Sequence, residues 1–204
     1  MIYDRREALR YMGAAQEDEE TALLADQVYL RLRNIVQPRS LIKRFACEVL
    51  PDGVLVGGVK VVSFNLARHL EGCKELLLFA ATLGPGLDRE IKKMTLESLA
   101  WGNAAQAVAA SLVEVYCNQT LAAYEAAPLQ QRARFSPGYG DWDLAEQTKF
   151  FRMLDTRSIG LTLTSSGMMA PVKSVTAVVG LGPAVSGPAS RCDACGLRNC
   201  QYRR

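Results

Sequence analysis

The sequence predicts an α+β fold with a mixed, mainly antiparallel sheet and helices that include one long alanine-rich helix. Three observations carry this expectation. Short β-branched runs and amphipathic helical stretches are mixed without the regular alternation that builds a parallel sheet. The short runs at 42–49, 54–56 and 59–62 are separated by Pro51-Asp52-Gly53 and Gly57-Gly58, which are turn signals. The apolar segment 99–126 is too long for a strand. No internal repeat is present.

The first 35 or so residues read as two helices. Asp4 caps a short one that stops at Gly13. The second spans 17–36, with acidic residues Glu17, Asp18, Glu19 and Glu20 at its start and arginines late, as the helix dipole favours; Pro38 ends it. After the three short strands comes a helix over 65–70, stopped by Gly72, and then a nearly continuous apolar strand over 76–83. Gly84-Pro85-Gly86-Leu87-Asp88 opens a helix over 89–97, and the alanine-rich helix follows. On it Leu99, Val108, Leu112 and Val115 form a core stripe, while Ala104, Ala107, Ala110 and Ser111 admit another backbone or a ligand. Asn103, Glu114 and Asn118 share one line of this helix. Glu114 reads either as a ligand-facing acid or as a carboxylate paired with an arginine or with water. Asp143 caps a helix over 144–154, and strands are expected over 159–164 and 174–179.

Composition bounds the function classes. A chain of 204 residues, 49% hydrophobic and 22% charged, fits one domain or at most two and excludes disordered, collagenous and coiled-coil classes. The net charge of +3 lies in the last fifteen residues, where Arg191, Arg198, Arg203 and Arg204 oppose Asp193, so the body is neutral and nucleic-acid binding is not expected. Met1-Ile2-Tyr3-Asp4-Arg5-Arg6 lacks the apolar core of a secretory signal, which points to a cytoplasmic location. The longest uncharged run, 98–113, contains Gly102, Asn103 and Gln106 and falls short of the roughly 20 apolar residues of a membrane span.

The chemistry concentrates in one loop, Arg132-Ala133-Arg134-Phe135-Ser136-Pro137-Gly138-Tyr139-Gly140-Asp141-Trp142. Pro137 holds Ser136 extended, and Gly138 and Gly140 allow positive φ and close approach of backbone to a bound molecule. Arg134 offers a planar fork of donors for a carboxylate or phosphate, and Tyr139 and Trp142 offer flat faces with one polar end. Such a set suits a small zwitterion bearing an aromatic base. The same residues would also make an ordinary tight turn with a surface arginine and two core aromatics. His69, the single histidine, reads as structural or surface.

Residues 183–190, rich in Gly, Pro, Ala and Ser, read as a linker to a Cys-rich basic tail, 191–204. Cys192-x2-Cys195-x4-Cys200 has spacing suited to a Zn or iron–sulfur site. Three thiolates leave one ligand to come from elsewhere; reduced thiols in a disordered tail are the other reading. Cys47, Cys73 and Cys117 are expected in the core.

Arg134-Phe135-Ser136-Pro137-Gly138-Tyr139-Gly140-Asp141-Trp142 resembles the reactivation domain of cobalamin-dependent methionine synthase in its free-standing form. Leu78-Phe79-Ala80-Ala81-Thr82-Leu83-Gly84 and Pro171-Val172-Lys173-Ser174-Val175-Thr176-Ala177-Val178 extend the resemblance, which covers about residues 1–182. It implies an activation-domain-like α+β fold that binds S-adenosylmethionine and presents its methyl group to cob(I)alamin on a partner, repairing accidental oxidation. By that similarity Arg134 holds the ligand carboxylate, backbone at Ser136 and Gly138 contacts the ligand, Tyr139 lines the site and Glu114 faces it. The implied activity is that of a methyltransferase component, a methionine synthase activation subunit that works only with its corrinoid partner and an electron donor such as flavodoxin or ferredoxin. A non-catalytic corrinoid-protein accessory module, or a small metal or redox protein using the C-terminal cysteines, is the alternative.

Overall fold

The computed structural model describes residues 1–125 and 127–183. Along the chain these form α1 (Arg5–Met12), α2 (Glu19–Leu32), β1 (Arg39–Leu50), β2 (Gly53–Val56), β3 (Val59–Val62), α3 (Phe64–His69), β4 (Glu75–Thr82), α4 (Pro85–Glu97), α5 (Leu99–Ala122), β5 (Gln130–Gln131), α6 (Gln147–Met153), β6 (Thr162–Leu163), β7 (Met169–Ala170) and β8 (Ser174–Gly182). The α+β class holds, with the long alanine-rich helix as α5. Two compact units emerge: a helical one, Met1–Pro38 with Leu83–Ala122, and a sheet unit that takes in Arg39–Thr82 and 123–183.

In the helical unit the ends are set by local chemistry. Asp4 accepts from the Glu7 N–H and starts α1; Gly13, at φ 70°, ends it, with the Gly13 and Ala14 N–H groups donating back to the Arg10 and Leu9 carbonyls. Asp18 accepts from Thr21 N at 3.0 Å and Thr21 Oγ1 at 2.7 Å, so α2 starts two residues later than the acidic run suggests. Pro85 sits in the first turn of α4, where its missing N–H costs nothing. The small residues of α5 admit a neighbouring backbone: buried Ser111 accepts from Asp4 N at 2.8 Å and donates to Asp4 O at 2.9 Å. Gly102 serves the same purpose against α4, since a Cβ there would lie 2.7 Å from Thr95 Cα. Arg31 joins Glu90 and Glu97 at 2.6 Å each, tying α2 to α4 at the surface.

The sheet unit holds a six-stranded sheet in the order β3-β2-β1-β4-β8-β5, with every pairing antiparallel. Register is fixed by pairs such as Ile42 with Phe79 and Leu78 with Val178. Strands β4 and β8 are buried along nearly their whole length, which is why β4 reads as a continuous apolar run although its partners are antiparallel. One face of the sheet carries a core built on Val54, Val56, Leu66, Leu70, Leu76, Leu78, Trp142, Phe150 and Val178. Cys73 and Cys117 are buried and Cys47 is half-buried. Cys47 and Cys73 are neighbours, with Cys47 Sγ 3.7 Å from the Cys73 carbonyl, and burial first and Cys73 second push the Cys47 thiol up to about 11.

Two stretches differ from expectation. Of the expected strand 159–164 only two residues are extended, because Ile159 ends a 3-10 turn, Thr156–Ile159, that Gly160 closes at φ 74°. The Gly160 N–H donates to Arg157 O and the Leu161 N–H to Thr156 O, a helix-stop pattern that leaves only Thr162–Leu163 extended. The expected helix 144–154 starts at Asp143 as predicted but takes one 3-10 turn, Leu144–Glu146, before α6.

Candidate functional site

The glycine-rich loop begins as an edge strand and ends as a turn clamped to a helix. After β5, Arg132 N donates to Gly180 O at 2.8 Å. Phe135 and Val178 then exchange both backbone hydrogen bonds, at 2.9 and 2.8 Å. In extended backbone, groups on either side of a paired residue point the other way. Here that alternation is broken, because Arg132 and Phe135 are three residues apart while their partners Gly180 and Val178 are two apart, so the edge bulges at Ala133-Arg134. Phe135 packs on the core, and the preceding Arg134 is 6% exposed.

Past Pro137 the chain folds on itself. Tyr139 N donates to Ser136 O at 3.0 Å, Trp142 N to Tyr139 O at 3.0 Å and Gly138 N to Trp142 O at 2.8 Å. Gly138 and Gly140 have φ of 90° and 57°, the left-handed region the sequence anticipates. At Gly140 the close approach is to the protein itself, since a Cβ there would lie 2.9 Å from Asn65 Cγ.

The turn is fastened to α3 by Asp141. Its Oδ1 accepts from Ser63 Oγ at 2.6 Å and Asn65 N at 3.1 Å, and its Oδ2 accepts from Phe64 N at 2.8 Å. Ser63 Oγ in turn accepts from Leu66 N at 2.9 Å, so serine and aspartate together satisfy the first N–H groups of the helix. The Ser63 hydroxyl first, with Asn65 and Phe64 N–H donors beside it and partial desolvation opposing, brings Asp141 down to about 2. His69 Nε2 lies 2.8 Å from Ala133 O and its ring meets Phe135 tilted, with centroids 5.1 Å apart, so of the structural and surface roles open to it in the sequence the histidine takes the structural one.

Of the residues singled out in the sequence, Arg134, Ser136, Gly138 and Tyr139 lie within this one loop, with Tyr139 40% exposed. Trp142 does not offer a face to a ligand. It is 1% exposed and packs between Phe135 and Phe150, with ring centroids 6.1 and 5.6 Å away. Glu114 sits on α5 in the helical unit, where with Glu7 it adds to the burial that pushes the Tyr11 hydroxyl up to about 12. Asn103 and Tyr11 line a cavity of about 700 Å³ in that unit, together with Gly13, Asp18, Thr21 and Ala107. Cys192, Cys195 and Cys200 lie outside the described residues, as does most of the expected linker. Among the described residues no group of three or more His, Cys, Asp or Glu is arranged to hold a metal, and no helix is long and apolar enough to cross a membrane. Sequence reading missed Asp141, Ser63 and Asn65. Ser63 ahead of an apolar run is a visible helix cap, but nothing in the spacing joins it to Asp141.

No protein-family model and no curated protein matches this chain. Among solved structures it is similar to the MetH reactivation domain, solved bound to AdoHcy, at 16% identity, covering 84% of this chain and 67% of that one. With a TM-score of 0.61, the likeness is one of fold, and the α+β architecture described above is that of the reactivation domain.

Proposed function

We propose that this chain binds S-adenosylmethionine at the loop containing Arg134, Ser136, Gly138 and Tyr139. It offers the methyl group to a corrinoid on a partner protein, and so reactivates a cobalamin-dependent methionine synthase or a related corrinoid methyltransferase. The observation that carries the reading is the edge loop, in which buried Arg134 is followed by a glycine-rich turn that leaves Tyr139 40% exposed. It occurs on a fold shared with a domain solved with AdoHcy, which is what S-adenosylmethionine becomes when it gives up its methyl group.

The residues present fit such a ligand. A guanidinium matches the amino-acid carboxylate bidentately, and exposed Tyr139 supplies an aromatic face beside the turn. The corrinoid of the partner supplies the nucleophile. When the methyl leaves, the carbon–sulfur pair stays on sulfur and the positive charge there is discharged, so no proton moves and no acid or base is required of the protein. Its task is to hold the donor with the methyl accessible and in line. Before that transfer, one electron from a donor such as flavodoxin or ferredoxin would bring the oxidised corrinoid to its nucleophilic state. Calorimetric titration of the full chain with S-adenosylmethionine and S-adenosylhomocysteine tests the reading: saturable 1:1 binding of both is expected, and no heat from either would overturn it.

A further inference from the structure

We infer that Asp141 is the positioning residue of the loop, setting ligand affinity from α3 without touching the ligand. The inference rests on the function proposed above. Loop 136–142 is held by two sets of bonds. One is internal, joining Gly138 to Trp142, Tyr139 to Ser136 and Trp142 to Tyr139. Those bonds close the turn on itself. The other set joins the turn to α3 through the Asp141 carboxylate, which accepts from Ser63 Oγ, Phe64 N and Asn65 N.

Asp141 is flanked by Gly140, at φ 57°, and by Trp142, locked in the core. On the Trp142 side the chain is fixed by packing; on the other it passes through two glycines before reaching Pro137. The carboxylate therefore favours the arrangement of Gly138 and Tyr139 described here over others. Charge-assisted bonds to helix N–H groups are the stronger kind, and an amide cannot replace both oxygens as acceptors. Without the clamp the binding-competent fraction falls, and apparent affinity falls by the same factor.

The test uses Asp141→Asn and, because Ser63 supplies one of three donors, Ser63→Ala as a graded second variant. Hydrogen exchange is followed at the Tyr139 and Trp142 amides and at those of β4, and S-adenosylmethionine association and dissociation are followed by stopped flow. For Asp141→Asn, exchange at Tyr139 and Trp142 should rise about tenfold while β4 is unchanged, and association should slow by about the same factor with dissociation unaltered. Ser63→Ala should fall between this variant and the unsubstituted chain on both readouts. A purely structural role would instead speed exchange in β4 too. Unchanged exchange in the loop, or faster exchange with unchanged association, overturns the inference. If the unsubstituted chain binds nothing, the proposed function fails with it, whereas loop exchange still reports on the clamp.

Discussion

Phe135 and Val178 exchange both of their backbone hydrogen bonds, at 2.9 and 2.8 Å. This pair pins the chain to β8 directly after the bulge at Ala133-Arg134, where the Arg134 side chain is 6% exposed.

Arg134→Ala should therefore weaken S-adenosylmethionine binding by roughly 2 to 4 kcal/mol, the range for losing charge-assisted bonds to a carboxylate in a partly desolvated site. Arg134→Lys should also bind less well, because an ammonium has no planar fork. Calorimetry checks both. An unchanged dissociation constant in the alanine variant would remove Arg134 from the site.

The two aromatic residues of the loop should part company. Trp142→Ala empties a fully buried position between Phe135 and Phe150 and should cost about 3 to 5 kcal/mol of stability. Tyr139→Ala removes an exposed ring that meets Phe135 edge-on and should cost about 1 kcal/mol while lowering ligand affinity. Denaturant unfolding of both variants decides it, and equal losses would contradict the burial contrast.

The parts of this fold that could be read from sequence are those whose cause is local. Asp4, Gly13, Pro85 and Asp143 mark helix ends because capping acts within three residues. The apolar run of β4 shows burial on both faces directly. What escaped depends on distant partners. Ser63 and Asp141 are 78 residues apart, and their bond leaves no mark on either neighbourhood. Trp142 looks the same in sequence whether it faces a ligand or Phe150, and Gly140 suggests a close approach without saying that Asn65 makes it. The turn at 156–159 was hidden by β-branched residues that favour strand until Gly160 at φ 74° ends the matter.

Acid should act on the clamp in a defined direction. Asp141 is held at about 2, below the ordinary aspartate value near 3.9. A carboxylate with a depressed folded-state pKa contributes stability that is fully present above the unfolded value and is lost as pH falls through the folded one. The melting-temperature gap between the unsubstituted chain and Asp141→Asn should be constant above about pH 5 and close between about pH 4 and 2. A gap independent of pH across that range would show that the charge is not what holds the turn.

For the tail, we propose that Cys192, Cys195 and Cys200 coordinate metal. Anaerobically purified protein should carry Zn or iron in near-stoichiometric amount, and a chain ending at Gly182 should lose it while its thermal unfolding is unchanged. Metal-free protein in which all three thiols alkylate freely would favour a tail of reduced cysteines.

The most direct test of the central claim is methyl transfer itself. The chain is mixed with a corrinoid partner held as cob(II)alamin, a low-potential reductant and methyl-labelled S-adenosylmethionine, and labelled methylcobalamin is followed by absorbance and by label. Because holding donor and nucleophile together makes the step effectively unimolecular, label should appear rapidly when chain, partner and reductant are all present, and far more slowly when any one is omitted. Label appearing equally fast without this chain, or not at all with it, would contradict the account and leave a non-catalytic accessory module in its place.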